Sequence, residues 1–243
     1  MKLICYIRAL FALPAHIFVT AFSATLVIIA GGVFKSQNYV SQIIHLWACA
    51  LNFLVNIHVK LRGKENLPEG GCIYLFNHTS GFDITAVHQA IPGHVRFGAK
   101  AELFRVPIFG QGMRASGGLE IYRTRRGQVL DLYKNSVARV LKGECFALAA
   151  EGTRQSVAGV GERFKAGPFI FAITGQFPIV PVVIRGAFEC LPKGKWLPCI
   201  DKWRHEIILQ VLPPVSTKGL TLEDRQELQR KVQNLMTIAY NRG

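Results

Sequence analysis

From residue 57 onward, short apolar runs alternate with amphipathic stretches; before that the chain is almost continuously apolar. Residues 57–61 alternate apolar and polar as a half-buried strand does, and the Pro- and Gly-containing stretch 66–71 supplies the loop after it. Residues 72–76 are short, apolar and aromatic-containing, as a buried strand should be, and residues 84–91 continue as a helix after a polar turn. Residues 94–99 read as a further strand, residues 100–104 begin a helix that Pro107 interrupts, and residues 119–122 form another short strand. Apolar positions 129, 132, 133, 137, 140 and 141 predict a helix with one buried face, ended by Lys142-Gly143. Residues 145–150 and 178–184 are apolar strands, with an apolar helix between them that opens near Pro168. After a Pro- and Lys-rich loop comes a last strand at 206–212, and Thr221 with Asp224 caps an amphipathic C-terminal helix. Strands alternating with helices predict an α/β fold.

The first sixty residues carry a different pattern. Residues 9–34 hold no charge; Pro14 and His16 interrupt the run and Gly31-Gly32 close it. After the turn Lys35-Ser36-Gln37-Asn38, residues 39–59 are again free of formal charge, but Ser41, Gln42, His45, Asn52 and Asn56 are spread along them. A helix spans a bilayer with about 20 apolar residues, so the first segment suffices and the second is marginal. Lys2 and Arg8 precede the pair, Lys60, Arg62 and Lys64 follow it, and only Lys35 lies between. That asymmetry puts both ends on the cytoplasmic side, as a hairpin that crosses twice or dips into one leaflet. A cleaved signal peptide is the rival, since Lys2 and Ala21-Phe22-Ser23 imitate one; Arg8, Pro14 and the second apolar segment break that pattern. The organisation expected is a membrane-associated helical hairpin over residues 1–59 and an α/β domain over 60–243.

The balance of 29 basic against 15 acidic residues, +14 overall in 243, calls for an anionic partner: an anionic membrane face or a phosphorylated substrate. No basic stretch interleaved with aromatics supports nucleic acid. The six cysteines form no Cys-x-x-Cys pair and the seven histidines no ligand spacing, so neither a disulfide framework nor a metal site is expected.

The candidate chemistry gathers at strand ends, where α/β sheets place their sites. Asn77-His78-Thr79-Ser80-Gly81-Phe82-Asp83 follows the strand at 72–76. Asp83 falls in the first turn of the next helix, and the intervening turn can fold its carboxylate back to the imidazole of His78. Such a carboxylate fixes the tautomer and leaves the other ring nitrogen as a base. Arg123-Thr124-Arg125-Arg126 follows the strand at 119–122 with forks suited to phosphate, and Glu151-Gly152-Thr153-Arg154 follows the strand at 145–150. Gly110-Gln111-Gly112 imitates part of a dinucleotide fingerprint, but Pro107 before it and Ser116-Gly117-Gly118 after it deny it the strand and long helix it needs. No cofactor is expected.

Taken together these stretches resemble the glycerolipid acyltransferase family that makes phosphatidic acid from 1-acyl-glycerol-3-phosphate. The likeness covers roughly residues 60–215 in four ordered blocks: Asn77-His78 with Asp83, Gly118-Leu119-Glu120-Ile121-Tyr122-Arg123, Glu151-Gly152-Thr153-Arg154, and Val180-Pro181-Val182-Val183. It implies a central mixed β-sheet flanked by helices behind the N-terminal hairpin. It implies that His78, held by Asp83, takes the proton from a lyso-lipid hydroxyl, which then attacks an acyl thioester of acyl-carrier protein or coenzyme A. Arg123, Arg154 and Lys100 would bind acceptor phosphate, and Glu151, with Gly152 and Thr153 beside it, would position the acceptor. A backbone N–H of Thr79, Ser80 or Gly81 would meet the developing oxyanion. There is no Gly-x-Ser-x-Gly elbow for an acyl-enzyme.

The chain departs from the family pattern where Tyr122 stands in place of an acidic residue, where Ala149-Ala150 precede Glu151, and where Gln155 is inserted before Ser156. These departures bear on which lyso-lipid is bound, and leave a lyso-ornithine lipid or another lyso-phospholipid as the alternative acceptor. Two other classes stand beside this reading: a non-catalytic membrane-binding protein on the same scaffold, and a soluble thioesterase that would give the arginine clusters no purpose.

Overall fold

The structure, a computed structural model, describes residues 2–122 and 126–243. The apolar N-terminus forms α1 (Lys2–Gly32) and α2 (Gln37–Leu54), joined by a turn in which the Ser36 hydroxyl accepts the Tyr39 N–H. Pro14 does not end α1; it removes one intrahelical donor and the helix continues for more than four turns beyond it. The elements that follow are β1 (Ile57–Arg62), β2 (Ile73–Phe76), α3 (Phe82–Ala90), β3 (Val95–Lys100), α4 (Phe109–Ala115), β4 (Leu119–Ile121), α5 (Arg126–Leu141) and β5 (Cys145–Ala149). The chain then runs through α6 (Ala166–Gly175), β6 (Ile179–Arg185), α7 (Ala187–Cys190), β7 (His205–Val211) and α8 (Arg225–Asn241).

The strands form one seven-stranded mixed sheet in the order β1-β7-β6-β2-β5-β3-β4. Strands β6, β2, β5, β3 and β4 are mutually parallel, while β7 runs antiparallel to β6 and parallel to β1. The alternation along β2 divides the core between the two faces. Tyr74 and Phe76 pack with Phe82, Ala86 and Val87 of α3. Ile73 and Leu75 face Phe169 and Phe171 of α6 and Leu228, Val232 and Met236 of α8. Helices therefore cover both faces, as buried parallel strands require.

The polar residues that made the second N-terminal segment look marginal are its attachments to the α/β part. Gln37 Oε1 accepts from Arg96 at 2.6 Å and Ser41 Oγ meets His94 Nδ1 at 2.8 Å. Asn52 donates to Gln89 at 2.6 Å and accepts the Thr85 hydroxyl at 2.8 Å. Helix α2 thus lies on α3, and among the described residues α1 alone is long and apolar enough to cross a membrane. The glycines of Gly110-Gln111-Gly112 serve helix packing: a Cβ on Gly112 would come within 2.9 Å of Ala24 on α1. At the C-terminal helix, Asp224 Oδ2 reaches back to the Thr221 N–H and hydroxyl at 2.7 and 3.0 Å, but no side chain caps the first turn of α8, so the expected capping box is only half formed.

Candidate active site

The parallel strands β2, β5, β3 and β4 end level with one another: Phe76 is opposite Ala149, Phe97 opposite Ala147, and Lys100 opposite Ile121. The segments that follow β2, β5 and β3 consequently line one edge of the sheet, spaced about 4.8 Å per strand. The first and third of the four sequence blocks meet there by topology alone.

At the end of β2, Asn77 extends the ladder with its side chain. Its Oδ1 accepts the Ile184 N–H at 2.7 Å and its Nδ2 donates to the Ile184 carbonyl at 2.9 Å, so the amide imitates a strand neighbour of β6. A second contact to the Gly159 carbonyl at 3.0 Å ties in the loop after β5. His78, the next residue, is released from the sheet with its ring partly exposed. Its Nδ1 lies 2.8 Å from Asp83 Oδ2, and that same oxygen accepts the backbone N–H groups of Thr79 and Ser80 at 2.7 and 2.8 Å. The carboxylate is fully buried and sits in the first turn of α3, where the helix dipole also favours it. Three donors on one oxygen fix the turn and the ring together, and His78 Nε2 is left as the nitrogen able to take a proton.

Glu151, at the end of β5, is 3% exposed. Its Oε2 accepts the His78 N–H at 3.1 Å and its Oε1 accepts the Gly161 N–H at 3.0 Å. Burial pushes its carboxyl above the ordinary range, against the opposing pull of these N–H donors. The Gln155 N–H donates to the His78 carbonyl at 2.8 Å, so the loop after β5 grips both ends of the His78 peptide unit. Gly161 is needed for that grip, because a Cβ there would stand 2.6 Å from Glu151 Cγ. Ser80 adds a third attachment, its hydroxyl donating to the Leu191 carbonyl at 3.1 Å.

Of the remaining expected site residues, Lys100, Gly152, Thr153 and Arg154 fall along the same edge. Lys100 ends β3 with its side chain exposed, Gly152 turns the chain at φ +68°, Thr153 is exposed and Arg154 is half-buried. Arg123 lies outside the described residues. Of the three expected oxyanion donors, Thr79 and Ser80 give their N–H groups to Asp83, which leaves Gly81 the only one of the three with its N–H unengaged. The sequence did not disclose Asn77, Gly161 and Leu191 as supports. Their signal was local at best: an amide at a strand end, a glycine in a glycine-rich loop, and a carbonyl that no residue type reports. The expectation that cysteines and histidines form no ligand cluster needs correction at one place, because the fold gathers Cys190, Cys199 and His205.

The sheet thus carries, at a strand end, an imidazole held by a buried carboxylate, an arrangement able to take a proton from a hydroxyl or thiol. The sequence profile described as Acyltransferase matches residues 58–185, which contain both parts of that pair, and the chain belongs to this family. It is 30% identical over 189 residues to 1-acyl-sn-glycerol-3-phosphate acyltransferase of Saccharomyces cerevisiae, covering 76% of this chain and 61% of the yeast protein. It is 28% identical over 203 residues to the human enzyme named 1-acyl-sn-glycerol-3-phosphate acyltransferase alpha, covering 82% and 69% respectively. The crystal structure of the LPA acyltransferase PlsC from Thermotoga maritima superposes with a TM-score of 0.81 over 100% of this chain and 97% of that one, at 23% identity. That likeness establishes the fold, a mixed sheet flanked by helices.

Proposed function

We propose that the protein transfers a fatty acyl chain from an acyl thioester to the free hydroxyl of 1-acyl-glycerol-3-phosphate, giving phosphatidic acid. The observation that carries this reading is the His78–Asp83 pair at 2.8 Å, built into a turn that Glu151 and Asn77 hold from two neighbouring strands. His78 Nε2 takes the hydroxyl proton as the oxygen attacks the thioester carbonyl. The tetrahedral intermediate then collapses with loss of the thiolate, which recovers the proton from His78. Gly81 offers its N–H to the intermediate's oxyanion. No covalent enzyme intermediate is required.

Lys100 and Arg154, with Arg123 after β4, bind the acceptor phosphate in this reading. Lys100 stands two strand spacings from β2, about 10 Å, which its long side chain shortens. Glu151 positions His78 in this reading, its two oxygens accepting the backbone N–H groups of His78 and Gly161, beside the acceptor-positioning role expected of it. The donor is acyl-carrier protein or acyl-coenzyme A; both are anionic and suit a chain of charge +14.

The N-terminal helices associate with the membrane on its cytoplasmic side. Helix α1 exposes Leu3, Phe11, Ile17 and Phe18, each more than half open. On another side of the same helix, His16 meets Phe82 edge to face at 6.0 Å, one residue from Asp83. A lipid-facing helix and the proton-abstracting pair are therefore neighbours, an arrangement that suits an acceptor whose tail stays in the bilayer. Four cations, Lys193, Lys195, Lys202 and Arg204, share the loop of the exposed Trp196 and Trp203, and they give anionic lipid a counterpart.

The test is acyl transfer in detergent from labelled acyl-coenzyme A and acyl-carrier protein, offered lysophosphatidic acid, glycerol-3-phosphate or lyso-ornithine lipid. Phosphatidic acid as the main product supports the proposal. Preference for lyso-ornithine lipid would shift the acceptor, and no transfer to any acceptor from folded protein would favour the non-catalytic scaffold.

A further inference from the structure

Beside the active-site turn, three residues distant in sequence pattern meet inside the protein. Cys190 ends α7, Cys199 lies in the loop that follows, and His205 opens β7. One ligand-capable atom from each lies within 4.8 Å of the others, and the residues are 1%, 1% and 5% exposed. The backbone holds the cysteines in place, the Cys199 N–H donating to the Cys190 carbonyl at 2.8 Å. Cys199 adopts φ +53°, a left-handed conformation that glycine or asparagine usually fills. His205 Nε2 is buried with no hydrogen-bond partner, and Asp201 Oδ1 stands 3.1 Å from it without the alignment of a hydrogen bond.

We propose that Cys190, Cys199 and His205 bind a zinc-type divalent ion that fastens the loop at 191–204 to the sheet. Two thiolates and an imidazole favour zinc over the hard cations. Zinc–sulfur bonds of about 2.3 Å and zinc–nitrogen bonds of about 2.0 Å place the two sulfurs and the nitrogen of a tetrahedral site about 3.5–3.8 Å apart. A cluster no wider than 4.8 Å reaches that spacing by side-chain rotation. Binding releases the thiol protons to solvent as the two metal–sulfur bonds form. A disulfide between the cysteines would use both sulfurs and leave the buried imidazole nitrogen facing only Asp201.

The ion would act on the active site through the loop it holds. Leu191, next to Cys190, accepts the Ser80 hydroxyl from the turn that carries His78. The carbonyls of Cys199 and Lys202 accept from Arg8 of α1 at 2.8 and 3.1 Å. Catalytic turn, N-terminal helix and sheet edge thus converge on one segment.

Metal content of the full chain, purified in detergent and desalted, tests the site directly. The expected result is about one zinc per chain in the unmodified protein and less than about a tenth of that in Cys199→Ser and His205→Gln, with His58→Gln unaffected. Because a buried polar replacement can itself unfold the protein, the decisive arm uses the unmodified chain. Loaded with Co2+ in place of zinc, it should show thiolate-to-cobalt charge-transfer absorption and the strong visible bands of a tetrahedral site. Folded, unmodified protein that retains no stoichiometric zinc and gives no such cobalt spectrum overturns the proposal. So does a Cys190–Cys199 disulfide found by mass spectrometry of the unreduced protein.

Discussion

Glu151 and His78 are joined through the backbone: one carboxylate oxygen of Glu151 accepts the His78 N–H at 3.1 Å while its other oxygen holds Gly161 at 3.0 Å. A buried acid therefore holds the His78 backbone without touching the imidazole ring. Because burial raises the Glu151 carboxyl above its unfolded value, the native state binds the proton more tightly. Between the unfolded and the folded pKa, stability then falls as pH rises, by at most about 1.4 kcal/mol per pH unit. In Glu151→Gln that slope should vanish from the acid side of the profile. The variant should also lose about 1–3 kcal/mol near neutrality, because its amide NH2 faces a backbone donor. Urea unfolding of both proteins across the acid range checks the sign and the size.

Asp83 is expected to be less replaceable than an ordinary capping carboxylate. One oxygen serves His78, Thr79 and Ser80, so Asp83→Asn must present either a single carbonyl oxygen to all three or an amide to donors. The expected loss is about 100-fold or more in kcat with KM for the acceptor changed by less than about threefold. A parallel rise in KM with kcat preserved would contradict the role of Asp83 in orienting the base.

Gly161 gives a steric test of the same support. Gly161→Ala places a methyl group 2.6 Å from Glu151 Cγ, and the loop or the carboxylate must give way. Activity should fall about tenfold while far-UV circular dichroism stays unchanged. Gly127→Ala, where a Cβ meets nothing within 4 Å, is the matched control.

Phosphate recognition is tested apart from chemistry. Arg154→Ala and Lys100→Ala should each raise KM for lysophosphatidic acid about tenfold, with a smaller change in kcat. Unchanged KM in both variants would move phosphate binding elsewhere on the sheet edge.

Much of this arrangement was legible in the residue pattern, for definite reasons. Apolar runs at 72–76 and 145–150 sit in the parallel centre of the sheet and are buried on both faces, so composition alone marks them. The pairing of His78 with Asp83 was legible because the spacing spans one tight turn between a strand and a helix. Contacts made by backbone groups left no such trace: the Leu191 carbonyl that holds Ser80 is invisible in any sequence. The polar residues of α2 were read as weakening a membrane segment, yet Ser41 and Asn52 are where that helix docks on the α/β part. Cys190, Cys199 and His205 fit no ligand spacing because a loop and a strand start, rather than one turn, bring them together.

The central claim, that His78 is the base for acyl transfer to lysophosphatidic acid, is met most directly by the transfer rate of His78→Ala. The variant must be shown to fold by an unfolding midpoint close to that of the unmodified protein. A fall of about 100- to 10,000-fold in phosphatidic acid formation, with acceptor binding retained, is the predicted result. Transfer within about threefold of the unmodified rate would contradict the account and require a different base.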